Sequence, residues 1–257
     1  MAMADAEQAV TACLIIIGNE ILSGRTVDAN LPHIATKLGE VGIRMAEARI
    51  VPDDETAIVE AVNACRARHT YVFTTGGIGP THDDITAASI AKAFGRRLER
   101  NPEAERRLLA YYPPERVNEA RMSMADMPEG VALIDNPISV APGFRIENVH
   151  VLPGVPKIMQ AMLDDLLPTL QGGARVLSRA ITVLAPEGDV AAAGLGDLQA
   201  RFPTIEIGSY PFWRPEGPGT TIVLRGTEQP PIDAAARGLL ELAARLGAET
   251  REVPAGG

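Results

Sequence analysis

Aromatic side chains are scarce in this chain, at 4% of 257 residues, so a core has to be assembled mainly from Ala, Val, Ile and Leu. Cysteine is scarcer still, with only Cys13 and Cys65. Two such distant residues make neither a disulfide framework nor a zinc spacing, and both sit in apolar or helical patterns, which predicts buried thiols. Basic charge is in deficit: 24 Lys and Arg stand against 33 Asp and Glu, for a net charge of −9. That removes the electrostatic reason to bind a nucleic-acid backbone, so no nucleic-acid partner is expected. An anionic ligand would have to be held by backbone N–H groups, a few arginines or a metal ion. Long apolar runs are missing too. The run at 13–17 is far short of the roughly 20 residues that span a bilayer, and the first residues lack the basic and apolar regions of a signal peptide. A cytoplasmic protein with no membrane partner is expected, with a loose tail over residues 1–10.

What is present is ordinary globular material, 46% hydrophobic and 22% charged, long enough for one large or two unequal domains. Residues 11–17 (TACLIII) form a continuous apolar, β-branched run that ends at Gly18, as a strand buried on both faces does. A helix follows over 29–41, capped by Asp28, then a strand over 43–51 and a helix over 55–68 led by Asp53, Asp54 and Glu55. A third strand, 71–75 (YVFTT), runs into Gly76, Gly77 and Gly79 and a helix over 84–94. This β-α-β-α-β-α rhythm predicts a mostly parallel sheet with helices on both faces. Its strand C-termini share one edge, where such sheets bind ligands. Further on, 102–124 reads as helical with a break at Pro113 and Pro114. Residues 132–134 read as a short strand, 136–143 as a Pro/Gly loop, 144–152 as a hairpin and 157–170 as a helix. After a linker at 171–173 the pattern changes to β-α-β-β-α, with an unbroken helix over 189–202 and a last strand fragment and tail over 249–257. The domains are therefore 11–171, an α/β unit, and 174–253, a small α+β unit.

The densest chemistry lies at 74–86 (TTGGIGPTHDDIT). Its glycines let amides approach an anion, and the helix behind adds positive potential. Thr74, Thr75, Thr81 and Thr86 offer hydroxyls for a phosphate or a metal-bound water, and Asp83 and Asp84 offer the hard oxygens that Mg²⁺ takes. No Gly-Lys-Ser/Thr follows, so this is not a Walker A loop. The first loop, 18–28 (GNEILSGRTVD), brings Glu20 and Asp28 to the same edge, with helix capping and solvation as equal alternatives. For Asp53 and Asp54 capping is an equally good reading. His82 is a candidate acid or base; His33, His69 and His150 carry no motif. Ser139 has no nucleophile elbow, which argues against acyl transfer.

The segments GNEILSGRTVDAN, VPDDETAI, TTGGIGPTHDDIT, NPISVAPGF and LPGVP, in this order, resemble the CinA-type (competence/damage-inducible protein A) N-terminal domain. They are similar also to the molybdopterin-binding-like domain of FAD synthases and, more distantly, to MoaB and MogA. The resemblance covers about 11–170, and the stretch with IGSYPFW resembles the appendage that follows in CinA and FAD synthase proteins. It implies a three-layer MoaB-like fold and a small phosphorylated ligand, molybdopterin or an adenine nucleotide, bound with Mg²⁺, Mn²⁺ or Co²⁺. It implies a homo-oligomer, catalytic roles for Asp53 and Asp84, and metal binding by Asp83 and Asp84. The binding set it implies comprises Gly18, Asn19, Glu20 and Gly24; Thr75, Gly76, Gly77, Gly79, Pro80 and Thr81; and Asn136, Pro142, Gly143, Pro153 and Gly154. Hydrolysis of an ADP-ribose- or FAD-like pyrophosphate, a non-catalytic binding module and MogA-like adenylyl transfer all stay open. Three departures bear on the choice. Ile158 stands where Glu is usual, Ser139 where Gly is common, and NEARM at 118–122 lacks a Lys-Gln pair. The nicotinamide-nucleotide amidase domain of full-length CinA has no counterpart in these residues, so amidase activity is not expected of them.

Overall fold

The computed structural model describes residues 10–215 and 217–253. The expected tails at 1–9 and 254–257 lie outside the described residues; Val10 is tied down, its carbonyl accepting from the Arg44 amide at 2.9 Å. The chain divides into two compact units, one ending at Gly173 and the other beginning at Ala174.

The first unit runs β1 (Thr11–Ile17), α1 (Asn19–Leu22), α2 (Asn30–Glu40), β2 (Arg44–Val51), α3 (Glu55–Arg66), β3 (Tyr71–Thr75) and α4 (Thr86–Ala93). There follow β4 (Leu98–Arg100), α5 (Pro102–Tyr111), α6 (Glu119–Met122), β5 (Asp126–Pro128), β6 (Ala132–Ile134), β7 (Gly143–Ile146), β8 (Val149–Leu152) and α7 (Pro156–Leu166). The central sheet has the order β2-β1-β3-β8-β7-β6. β2, β1, β3 and β8 are parallel, and β7 and β6 complete it antiparallel. The period of two along β1 explains the three layers. Ala12, Leu14 and Ile16 face Ile34 and Leu38 of α2 and Met159 and Leu163 of α7. Cys13, Ile15 and Ile17 face Ile58, Val62 and Cys65 of α3 and Ile90 of α4. The first unit is thus the expected three-layer α/β domain. Because β2 and β3 flank β1 on opposite sides, the crossovers reverse between β1 and β3. A crevice opens at such a switch point outside the strand C-termini.

A register shift between Ala12 and Cys13 pairs Ala12 with Met45 but Cys13 with Glu47. The extra residue, Ala46, reverses the phase of β2. Met45 therefore packs on the α2 side, while Val51 joins the α3 side.

The stretch 102–124 is less helical than its sequence suggests. α5 ends at Tyr111, a short 3₁₀ turn holds Pro114–Arg116, and α6 is a single turn. The ribbon of β4 and β5, which the sequence pattern did not reveal, is closed by Arg100 pairing with Asp126 at 2.6 Å and Arg97 with Glu129 at 3.0 Å.

The second unit comprises β9 (Leu177–Val183), α8 (Glu187–Val190), α9 (Gly196–Arg201), β10 (Glu206–Arg214), β11 (Gly217–Gly226), α10 (Gln229–Leu246) and β12 (Thr250–Val253). Its antiparallel order, β10-β11-β9-β12, is the ferredoxin-like split β-α-β arrangement. The expected unbroken helix over 189–202 is broken instead. Residues Ala191–Leu195 form a wide turn, with Gly194 at φ 113°, a conformation that ends α-helical hydrogen bonding. Among the described residues no helix is long and apolar enough to cross a membrane.

Candidate functional site

A cleft of about 490 Å³ opens at the carboxyl edge of the first unit's sheet. The strand ends Ile17, Val51, Thr75 and Leu152 define that edge, and the loops that follow build the cleft. The loop after β3 is the floor. Gly76 has φ +104°, and a Cβ there would stand 2.2 Å from the Ile17 carbonyl oxygen. Gly77 has φ +65°, and its Cβ would strike the Thr86 hydroxyl at 2.2 Å. Both positions exclude a side chain for two independent reasons. Thr86 staples the loop to α4: its amide donates to the Gly77 carbonyl and its hydroxyl to the Gly76 carbonyl, each at 3.0 Å.

The loop's amides are not equally available. The Gly76 N–H donates to the Leu152 carbonyl at 3.2 Å, which corrects the expectation that all the glycine amides face a ligand. The amides of Gly77, Ile78 and Gly79, which line the cleft, have no hydrogen-bond partner among the described residues.

Asp84 does not begin a helix, as its sequence position suggested. α4 starts at Thr86, and the Asp84 carboxylate folds back over Gly79 to accept from the Thr81 amide at 2.8 Å. The Thr81 hydroxyl stands 2.6 Å from Asp83 Oδ1 and 2.5 Å from Asp84 Oδ2. One hydroxyl has one proton, so two carboxylates converge on a donor that satisfies one of them at a time. That hydroxyl, with the residue's own amide and His82 behind it, holds the Asp83 carboxyl below its usual range. Asp83 is therefore anionic at neutral pH.

The loop after β2 contributes Asp53, whose Oδ2 accepts from the Asn19 amide at 2.8 Å. Asp54, not Asp53, caps α3, accepting from Ala57 N at 2.9 Å. The capping reading of the acidic pair thus applies to one member. From the loop after β1, Glu20 lines the cleft, its carboxylate folded against Gly18. Asp28 is a cap, accepting from Leu31 N at 2.9 Å. The loop after β8 brings Pro153 and Gly154 against the floor: a Cβ on Gly154 would lie 3.3 Å from Gly76 Cα, and its carbonyl accepts from Asn30 Nδ2 at 2.9 Å.

Several expected residues serve the frame rather than the opening. Gly18 is buried under Glu20, Asn19 contributes its amide to Asp53, and Gly24 lies in an exposed turn. Thr75 is buried, with its hydroxyl unpartnered among the described residues. Gly143 is a strand residue whose missing Cβ admits the Val151 carbonyl at 2.3 Å, and Pro142 lines a small neighbouring recess. Asn136 lines the cleft but is saturated. It donates to Ser139 Oγ and the Ala141 carbonyl at 2.8 Å and accepts from the amides of Ile138 and Ser139 at 3.0 Å. His82 is exposed and outside the lining. Sequence reasoning missed Thr26, Ile78, Met124 and Val155. The fold alone brings Met124 there; Ile78 was visible inside the glycine loop.

The lining carries Glu20, Asp53, Asp83 and Asp84 and no Lys, Arg or His. Carboxylates without a counter-cation repel a phosphate at close range. The donor set is all oxygen plus backbone amide, which fits a hard divalent ion and does not fit a soft one.

The family model described as a probable molybdopterin binding domain matches residues 13–172, and that of the FAD synthase middle domain matches 175–248. A protein of Pyrobaculum calidifontis is 37% identical over 78% of this chain and 80% of its own length. A CinA-like protein of Desulfosudis oleivorans is 37% identical over 76% of this chain, which spans about half (52%) of that relative. Among solved structures, CinA of Thermoplasma acidophilum, described as a protein of unknown function, is 34% identical with a TM-score of 0.59. That match covers 63% of this chain and 98% of that one.

Proposed function

The chain belongs to the CinA-type molybdopterin-binding domain family, and from that premise we propose that its rim cleft hydrolyses a nucleotide pyrophosphate of ADP-ribose or FAD type, with a divalent metal, releasing AMP. The observation that carries this reading is a cleft with four carboxylates, unpartnered amides and no basic side chain. Such a site accepts a phosphate only together with a cation.

Asp83 and Asp84, converging on the Thr81 hydroxyl, are the residues that would hold the ion. When bound, a divalent metal neutralises phosphate charge and acidifies a coordinated water. Asp53, held by the Asn19 amide, is the base that takes the proton of an attacking water. The water oxygen forms a new bond to phosphorus as the bridging P–O bond breaks, and the leaving phosphate departs with that electron pair. The amides of Gly77, Ile78 and Gly79 donate to the non-bridging oxygens, where charge accumulates. A cytoplasmic homo-oligomer goes with this proposal, and light scattering of the purified chain tests its assembly.

A specific observation favours a second reading. Ile158 and Val155 give the cleft an apolar wall, suited to a flat ring held without turnover, as in a molybdopterin- or nucleotide-binding module. Incubation of the purified chain with ADP-ribose or FAD and Mg²⁺, Mn²⁺ or Co²⁺ separates the two. AMP release that disappears in Asp84→Ala supports hydrolysis. Ligand binding without AMP from either substrate supports the module. AMP transfer from ATP to molybdopterin replaces both with adenylyl transfer.

A further inference from the structure

A second cluster of metal-ligating side chains lies in the first unit, on the α3 face of the sheet. Cys13 of β1 and Cys65 of α3 are fully buried, with Sγ atoms 2.9 Å apart. Non-bonded carbon atoms stand roughly 3.5–4 Å apart, and sulfur is larger, so the two thiols are in unusually tight contact. The bulge in β2 sets Glu47 opposite Cys13. His69, just beyond α3, places Nε2 3.1 Å from Glu47 Oε2, with Nδ1 3.4 Å from the Thr11 hydroxyl. Ligand atoms of Cys13, Glu47 and His69 all lie within 4.8 Å of one another. The sequence carried none of this: the cysteines are 52 residues apart and His69 belongs to no motif.

We propose that Cys13, Glu47 and His69, with Cys65 as an adjacent second thiol, form a binding site for one zinc-class divalent cation. A set of sulfur, imidazole and carboxylate is the donor chemistry of zinc, unlike the all-oxygen set of the rim cleft. The 3.1 Å between His69 Nε2 and Glu47 Oε2 is close to the ligand–ligand separation in a tetrahedron with bonds of about 2.0–2.1 Å. The contact of Nδ1 with the Thr11 hydroxyl leaves Nε2 aimed at the cluster, as the outer hydrogen bond of a ligating histidine does. Two zinc-bound sulfurs stand farther apart than 2.9 Å, so an ion would draw Cys13 towards His69 and relieve the tight sulfur contact.

Two guanidiniums already share the Glu47 carboxylate, so ionised thiols have to supply the negative charge that an ion needs. Arg49 meets Glu47 at 2.7 Å and Arg68 at 3.3 Å. Binding releases both thiol protons to solvent and moves no electrons. Two thiolates and one carboxylate then face two guanidiniums and the ion. Entry is from the Glu47 side, where the side chain is 23% exposed.

Cobalt(II) is the probe. The reduced full chain, titrated anaerobically, should develop a thiolate-to-cobalt band in the near ultraviolet that saturates at one equivalent. Zn²⁺ should displace it and excess Mg²⁺ should not. Cys13→Ser should cut the band by about half or more, Cys65 being the one thiolate left, and His69→Gln should weaken Co²⁺ binding by at least about 10-fold. If Cys13→Ser fails to fold by circular dichroism, His69→Gln alone decides. The proposal is overturned if no such band forms while two thiols titrate as free, or if His69→Gln binds as the wild type does. It is equally overturned if the chain's mass falls by two hydrogens whether or not metal is present, which would make the pair a disulfide.

Discussion

Two loops close the rim cleft, at residues 76–84 and 136–141, and they use similar residues to opposite ends. In the second, Asn136 spends all four hydrogen bonds on its own loop, and Val140 takes a positive φ of 63° to keep the turn. In the first, two aspartates share one threonine proton and three amides are unpartnered among the described residues. A polar group that has met its needs internally supports structure. One left short of partners is stabilised when a ligand supplies them. The difference separates a frame from a site more sharply than composition does.

The largest test of that contrast is Asp84→Ala. If the first loop is unfinished without ligand, metal-dependent AMP release should fall by on the order of 10³-fold, while the melting temperature stays within a few degrees of wild type. A collapse in stability equal to the loss of activity would make Asp84 a structural cap, and the contrast would fail.

The first loop leaves β3 and the second joins β6 to β7, which pairs with β8, and acidification probes the sheet that carries both. His150 of β8 is buried and stacked on Phe73 of β3 at 5.1 Å. Burial, reinforced by Arg145, lowers its pKa from 6.5 to about 4. The unfolded chain therefore takes up a proton near pH 6.5 that the folded chain refuses. Stability should be fully present above that pH and fall towards pH 4, by about 3 kcal/mol. His150→Phe should flatten that part of the profile in denaturant titrations at pH 7, 5.5 and 4.5.

Asn136→Ala is the converse of the first test. It removes the frame's hydrogen bonds and should cost about 2 kcal/mol of stability, with ligand affinity per folded molecule nearly unchanged. A large affinity loss with unchanged stability would move Asn136 from frame to site.

The smallest effect compares two glycines. Gly24→Ala, at φ +72° with nothing within 4 Å, should cost about 1 kcal/mol from the left-handed backbone alone. Gly77→Ala adds the clash with Thr86 and should cost about 1–2 kcal/mol more, as chemical denaturation would read.

The sequence revealed the contrast only in part. The strand-to-glycine transitions at Ile17–Gly18 and Thr75–Gly76 were legible, because continuous β-branched runs stop abruptly there, and they placed the cleft on the correct edge. Asp54 as a cap could be anticipated; its neighbour Asp53 reaching Asn19 could not, since that bond joins two crossovers. The turn-back of Asp84 competes with helix initiation, and local pattern favours the helix. The β4–β5 ribbon escaped notice because its three-residue strands are too short to alternate visibly and are held by Arg100 and Arg97. The break after Val190 had a signal, Gly194 and Gly196, which the run of alanines outweighed.

The extra residue in β2 has a consequence for tolerance to change. Deleting Ala46 would join Met45 directly to Glu47 and leave each opposite its present partner, so Glu47 and Arg49 would stay on the α3 side of the sheet. That one codon is therefore expendable to the pairing, whereas a residue lost further along β2 shifts the register and turns the residues beyond it towards Ile34 and Leu38.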